Sequence, residues 1–472
     1  MRNKKYQANG LCLSKYFIIF SGIFLLLLIS LVNCTNEPSA TLKTWLYPGY
    51  NEKNCGFAPA DYIGEITTPS VKWSHAIDFG TSVILTDDLD GDNKIEIISV
   101  SSRATDNRKQ QRLTVICLEN NGAEKWKWQT PHYFISNGSY PNTDPGEKVW
   151  ACATLVGGAV IVNKRIIIAE TLKHQYYGGE VDFNGYLICL NSDGTVAWSY
   201  HTLEGDPNFV TAHDIDKDSV IEVIAGTDEP GCIYCLNSDT GELEWSNSNS
   251  NITELENGAA IADIDGDGEI EIVTADERKG GMCFTSNGSI KWMCPDGPHE
   301  AWPALMDINS DSKMEILCSS ENTSCMNYDG KIKWIKPYGS KPDEYGGKSI
   351  VALGDINDDG IVEFVYLEKT NVVCRNAETG NTIWSYNTPE DIEFNSAVLA
   401  CDIDGDGANE ILFTGRTNHA FYCLSHTGAL EWKLDVPSSP MGGFAITDID
   451  NDGSVEVIFG TDNKVYCIDK KD

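Results

Sequence analysis

Asp263-Ile264-Asp265-Gly266-Asp267-Gly268-Glu269-Ile270-Glu271 decides the fold. Oxygen-bearing side chains stand at positions one, three, five and nine, and a β-branched run, Ile270-Glu271-Ile272-Val273, follows. The same nonapeptide begins at Asp88, Asp214, Asp307, Asp355, Asp402 and Asp448. From Asp214 onward the starts lie 49, 44, 48, 47 and 46 residues apart. A period of that length marks a propeller or a solenoid array, so the whole chain is read through it.

Around this loop one repeat reads as four strands. Ala259–Ala262 enters the loop, and Ile270–Val273 alternates as a second strand. Met282-Cys283-Phe284 begins a third, and Ser286-Asn287-Gly288 is a tight turn, since Asn-Gly tolerates positive φ. Ser289-Ile290-Lys291-Trp292 is the fourth. Four antiparallel strands in about 45 residues is one propeller blade. Each fourth strand carries a tryptophan (Trp126, Trp198, Trp245, Trp292, Trp334, Trp384 and Trp432), read as packing between blades.

Counting closes the ring at eight. A cryptic repeat without acids at the loop positions lies between the first two loops, with Ile161–Ile168, Cys189, Gly194 and Trp198 in the repeat positions. The last repeat stops at Val465-Tyr466-Cys467-Ile468, and its missing strand matches Ser70-Val71-Lys72-Trp73. The expected fold is therefore all-β: an eight-bladed propeller of four-stranded antiparallel blades. An N-terminal strand should pair with the C-terminal blade, leaving no open sheet edge.

The loops predict metal. Hard cations take oxygen ligands, and a flexible carboxylate-rich loop favours Ca2+ over octahedral Mg2+. The candidate ligands are Asp88, Asp90, Asp92 and Glu96; Asp214, Asp216, Asp218 and Glu222; Asp263, Asp265, Asp267 and Glu271; Asp307, Asn309, Asp311 and Glu315. The remaining three loops offer Asp355, Asn357, Asp359 and Glu363; Asp402, Asp404, Asp406 and Glu410; and Asp448, Asp450, Asp452 and Glu456. Position six needs a left-handed backbone, easiest for Gly. Ser219 and Ser312 therefore predict weaker binding at the Asp214 and Asp307 loops than at Asp263, Asp402 and Asp448. These loops hold much of the acid behind the net charge of −35. The balance argues against nucleic acid, which rewards basic grooves.

The N-terminus reads as an export signal. Arg2, Lys4, Lys5 and Lys15 precede an apolar run from Phe17 to Val32, and Leu31-Val32-Asn33-Cys34 resembles a bacterial lipoprotein signal with Cys34 as lipid acceptor. Asn33 stands where that signal has a small residue, so a cleaved secretory signal and an uncleaved membrane anchor remain open. The chain divides into this signal (1–34), a linker (35–65) and the propeller (66–472), which places the protein at the cell surface, in the periplasm or outside the cell. Eight of the sixteen cysteines occupy one repeat position, as in Tyr234-Cys235-Leu236. Equivalent positions in stacked sheets lie about 10 Å apart, too far for a disulfide. They read as small buried side chains.

The Asp-x-Asp-x-Asp-Gly-x-x-Glu loops resemble FG-GAP or VCBS-type repeats, including the calcium loops of integrin α-subunits. The second half of each repeat, such as Tyr234–Trp245, resembles quinoprotein-like (PQQ-like) propeller repeats. The resemblance implies a propeller and calcium, and leaves function open because propellers host many activities.

Three long insertions, Ser101–Arg112, Gln129–Glu147 and Thr171–Asn184, fall on the face opposite the acidic loops. With them come His132, Tyr133, Tyr140, Trp150, His174, Tyr176 and Tyr177, aromatics that suit a glycan or protein ligand. No zinc-ligand cluster and no Gly-x-Ser-x-Gly elbow is present. The reading is an exported calcium-binding propeller serving as a binding or scaffolding module. A propeller-type polysaccharide lyase and a quinoprotein-like oxidoreductase are the enzymatic alternatives.

Overall fold

The computed structural model describes residues 51–471 apart from 52, 54, 59, 79, 102–112, 131–148, 177–180, 204, 300, 321, 338–350, 369–370 and 389–396; at 149–157, 171–176, 181–184 and 256–257 it describes the backbone alone. The described residues form thirty-two strands in eight four-stranded antiparallel sheets. Seven blades are built from consecutive strands. The eighth is closed by the N-terminal strand Pro69–Ala76, which pairs with Lys464–Lys470 as the sequence predicts: Ser70 opposes Asp469 and Trp73 opposes Cys467.

Blade contacts explain the repeated Cys and Trp. In every blade the cysteine of the third strand faces the tryptophan of the fourth, from Cys117–Trp126 to Cys467–Trp73. A small side chain suits the position opposite an indole. The indole then reaches the next blade. Trp126 Nε1 donates to the carbonyl of Ser192 at 2.8 Å, Trp198 to Ser238 at 2.8 Å and Trp384 to His426 at 2.8 Å. Apolar clusters fill the gaps between blades, for example Val83, Ile98, Val115, Ile161, Ile166 and Leu190 between the first and second. Thirteen described cysteines are buried free thiols, among them the eight at the repeat position for which the spacing argued this.

Two features differ from the sequence reading. The stretch Thr171–Asn184 is not simply a loop: strand two of the second blade runs from Arg165 to Tyr176 and strand three from Val181 to Leu190, paired along their length. Secondly, residues 53–66, within and beyond the span read as a linker, bond to the propeller backbone. The carbonyls of Lys53, Cys55 and Gly56 accept from Leu305, Leu353 and Ala400, in the first strands of blades five, six and seven. Gly64 and Ile66 then donate to Asp402 and Ile403 in the acidic loop of blade seven, and the Ile63 carbonyl accepts from Val455 in that of blade eight. The described residues all belong to the compact unit Leu42–Asp472. Among them no helix is long and apolar enough to cross a membrane.

Candidate metal loops and the opposite face

All seven acidic loops join the first and second strands of their blades, so topology puts them on one face of the ring. Each folds around its own carboxylates. In the blade-four loop Asp263 accepts from the N–H groups of Gly266 (2.8 Å) and Gly268 (2.9 Å). Asp265 accepts from Asp267, and Asp267 from Glu269. Glu271 Oε2 accepts from Ile264 at 3.1 Å. That last bond recurs in every loop, from Leu89–Glu96 to Ile449–Glu456. Position six is left-handed throughout, including Asn93, Ser219 and Ser312. Position four is left-handed as well, through Gly91, Lys217, Gly266, Ser310, Asp358, Gly405 and Asn451, which the sequence alone did not reveal.

Five loops bring three acid oxygens within 4.8 Å of one another: Asp88, Asp90 and Glu96; Asp214, Asp216 and Asp218; Asp263, Asp265 and Glu271; Asp402, Asp404 and Glu410; Asp448, Asp450 and Glu456. These groups could hold a metal ion. The Asp307 and Asp355 loops, with Asn309 and Asn357 at position three, form no such set of three acids among the described residues. In the Asp307 loop the Asn309 amide instead donates to Glu315 Oε1 at 2.9 Å.

A residue that sequence reasoning missed stands just before each tryptophan. The ladder between the third and fourth strands skips one residue there, a β-bulge, and the skipped residue is turned toward the loop. In blade four it is Lys291, whose Nζ lies 2.7 Å from both Asp265 Oδ2 and Glu271 Oε1. Lys125 makes the same pair with Asp90 and Glu96 at 2.7 and 2.8 Å, and Lys72 with Asp450 and Glu456 at 2.7 and 2.6 Å. Lys333 reaches Glu315 at 3.6 Å and also pairs with Glu378. The Lys-Trp dipeptide was the available signal.

Elsewhere the bulge residue is different: Ala197 in the second blade, which has no acidic loop, Glu244 in blade three, Ile383 in blade six and Glu431 in blade seven. The electrostatics follow. Burial pushes the Glu410 carboxyl up to about 9, with the Asp404 charge adding to it. Glu456 is equally hidden from solvent, yet burial raises it only to about 7, because Lys72 favours its charged form.

On the opposite face, Asp296, Pro298, His299, Ser320, Asn322, Ser324 and Ile335 line a small cleft open to solvent, beside blades four and five. The Ser324 hydroxyl is buried there without a hydrogen-bond partner. Of the aromatics expected on this face, Trp150 lies on the first strand of blade two, and His174 and Tyr176 on the second. Their backbones are close: Val149 opposes Tyr176 and Cys152 opposes His174. His132, Tyr133, Tyr140 and Tyr177 lie outside the described residues, as does Cys34.

Fold and repeat together define a PQQ-like propeller. The family model for outer membrane protein assembly factor BamB matches residues 109–386, and the chain belongs to that family. A second model, the lambda-carrageenase β-propeller domain, matches residues 370–472. Lambda-carrageenases of Pseudoalteromonas sp and Pseudoalteromonas carrageenovora are each 22% identical over 260 residues, covering 50% of this chain and 26% of theirs. The chain thus matches about a quarter of the length of these curated relatives. Among solved structures, Sqt1 of Saccharomyces cerevisiae (TM-score 0.51, 11% identity, 84% of this chain and 98% of that one) and the Dos1 propeller (TM-score 0.51, 8% identity, 87% and 97%) share the fold.

Proposed function

We propose that this is an exported, calcium-binding propeller that acts as a non-enzymatic glycan-binding module. The observation that carries the ligand class is the match of residues 370–472 to the lambda-carrageenase propeller domain. Two features support it, one in the structure and one in the sequence. The blade-five cleft combines hydroxyl, amide, carboxylate and imidazole groups with the apolar side of Ile335, a lining suited to a sugar ring. The sequence supplies the other: Trp150, His174 and Tyr176, with His132, Tyr133, Tyr140 and Tyr177, are the candidate aromatics for stacking on a sugar. The matched quarter of the carrageenases does not by itself transfer their activity, and the described residues form no recognised catalytic constellation. Binding therefore fits better than turnover.

Calcium is the ion the acidic loops fit, through their oxygen donors and flexible turns. Export follows from the reading of residues 1–34, in which Cys34 is the candidate lipid acceptor beside a cleaved signal or an uncleaved anchor.

A screen of the calcium-loaded chain against immobilised polysaccharides, galactans and uronates included, tests the reading. Retention on a polysaccharide, weakened by Trp150→Ala with Tyr176→Ala or by Ser324→Tyr, is expected. Capture of proteins with no polysaccharide retained would overturn the glycan assignment. A rise in absorbance at 235 nm on a uronate polymer would replace binding with lyase chemistry.

A further inference from the structure

We propose that the bulge residue before each fourth-strand tryptophan decides which loops take a divalent cation. The loops of blades three and seven are the metal sites, while those of blades one, four, five and eight are closed by the chain's own lysines. This deepens the calcium reading above and rests on it.

The repeats act as internal replicates. Four times the structure puts an ammonium group against the position-nine glutamate, and in three of those also against the position-three aspartate: Lys72, Lys125 and Lys291, with Lys333 leaning on Glu315 alone. The receiving atom is always Oε1 of the position-nine glutamate, since Oε2 is held by the backbone of position two. A positive charge is thus wanted at one fixed point of the loop. Blade two lacks the acids and has alanine there.

Blades three and seven keep the need and lack the lysine. Glu222 and Glu410 are each 1% exposed. Their Oε2 atoms accept from Ile215 at 2.8 Å and Ile403 at 3.1 Å, and no donor or cation among the described residues meets their Oε1 atoms. Asp214 Oδ1 is likewise buried without a partner. The bulge brings a fifth carboxylate instead: Glu244 interacts electrostatically with Asp216 and Asp218, and Glu431 with Asp404 and Asp406. Five carboxylates with a buried oxygen left over form a site for a small multivalent cation taking six to eight oxygens. In the lysine loops the same ion would have to expel a hydrogen-bonded ammonium. Blade six, with Asn357 and the apolar Ile383, has neither lysine nor a fifth acid and ranks between the two classes.

The order differs from that drawn from position six. Asp214 moves from the weak loops to the strong ones, and Asp263 and Asp448 move the other way.

Elemental analysis of the folded chain, equilibrated with low-micromolar calcium, reads this directly. Two or three bound ions are expected. Glu431→Lys should remove one ion and Lys291→Glu should add one, with unchanged far-ultraviolet circular dichroism showing that each variant folds. Should Lys291→Glu misfold, Lys125→Glu makes the same exchange in blade one. Seven ions in the parent chain, or variants that leave the count unchanged, overturn the partition while leaving calcium binding intact. No bound ion at any calcium concentration overturns the calcium reading itself.

Discussion

Gly194 in blade two lies so close to the indole of Trp126 in blade one that a β-carbon on it would sit 2.8 Å from Cδ2 and Cε3 of the ring. Its φ of +80° is also one that L side chains rarely adopt. The turn between strands three and four is thus shaped by the neighbouring blade as much as by its own hairpin. Gly194→Ala should cost more than the roughly 1–2 kcal/mol of a left-handed alanine. Gly268→Ala, where φ is +89° but nothing lies within 4 Å, is the control. Thermal melts of the two variants in excess calcium should show the larger drop for Gly194; equal drops would remove the indole from the explanation.

The segment 53–66 ties the N-terminal side of the chain to blades five through eight. Gly56 has φ +58° and a β-carbon there would meet the Val351 carbonyl at 2.2 Å, so backbone packs directly on backbone. The Ile66 carbonyl also accepts from Trp432 Nε1 at 3.2 Å, standing in for the hairpin turn that the ring closure interrupts. A chain starting at residue 50 should melt like the longer protein. One starting at residue 67 should melt lower and lose amide-exchange protection at Leu305, Leu353 and Ala400. Protection retained at those three amides would show that the strap is dispensable.

Glu170 gives the fold a pH dependence of its own. It is fully buried on the second strand of blade two, and burial pushes its carboxyl from 4.5 up to about 8, with the Thr130 hydroxyl opposing only in part. The folded state therefore holds this proton more tightly than the unfolded state. Between about pH 4.5 and about pH 8 the folded chain carries the extra proton, so stability from this group falls as pH rises. Urea midpoints at pH 5.5 and 8.5 should drop less for Glu170→Gln than for the parent. An identical drop would place the titrating group elsewhere.

Much of the fold was legible because it repeats. The acidic loop, the Cys–Trp pair and the glycine of the last turn each recur at fixed offsets, and Ser70–Trp73 is recognisable as a displaced copy of Ser289–Trp292. What was hidden does not recur. Residues 53–66 have no counterpart in any blade, and their hydrogen bonds go to backbone hundreds of residues away, for which side-chain patterning leaves no trace. The strand extension to Tyr176 was masked by polar and aromatic residues that read equally as loop. The bulge lysines were in plain view, but a charge in an outer strand ordinarily means solvent. Only the skipped register turns Lys291 toward Glu271. Left-handed position four was obscured because Lys217, Ser310 and Asp358 occupy it in some blades where glycine does in others.

Removing calcium tests whether the loops brace the ring. A ligand held by the folded state alone adds about 2.7 kcal/mol per independent site at a hundredfold excess over its dissociation constant. Glu222 and Glu410 each tie the second strand of their blade to the start of the loop, through Ile215 and Ile403, so an ion on their free oxygens acts on the first hairpin of two sheets. EDTA should therefore lower the melting temperature, and calcium should restore it. Magnesium at equal concentration should restore less, because it dehydrates reluctantly and demands a near-octahedral shell. The loss should also be smaller in a Glu244→Lys, Glu431→Lys double variant, in which an ammonium replaces the ion in both blades. A melting curve that EDTA leaves unmoved in the parent chain would mean that the acidic loops hold their shape on backbone hydrogen bonds and lysines alone.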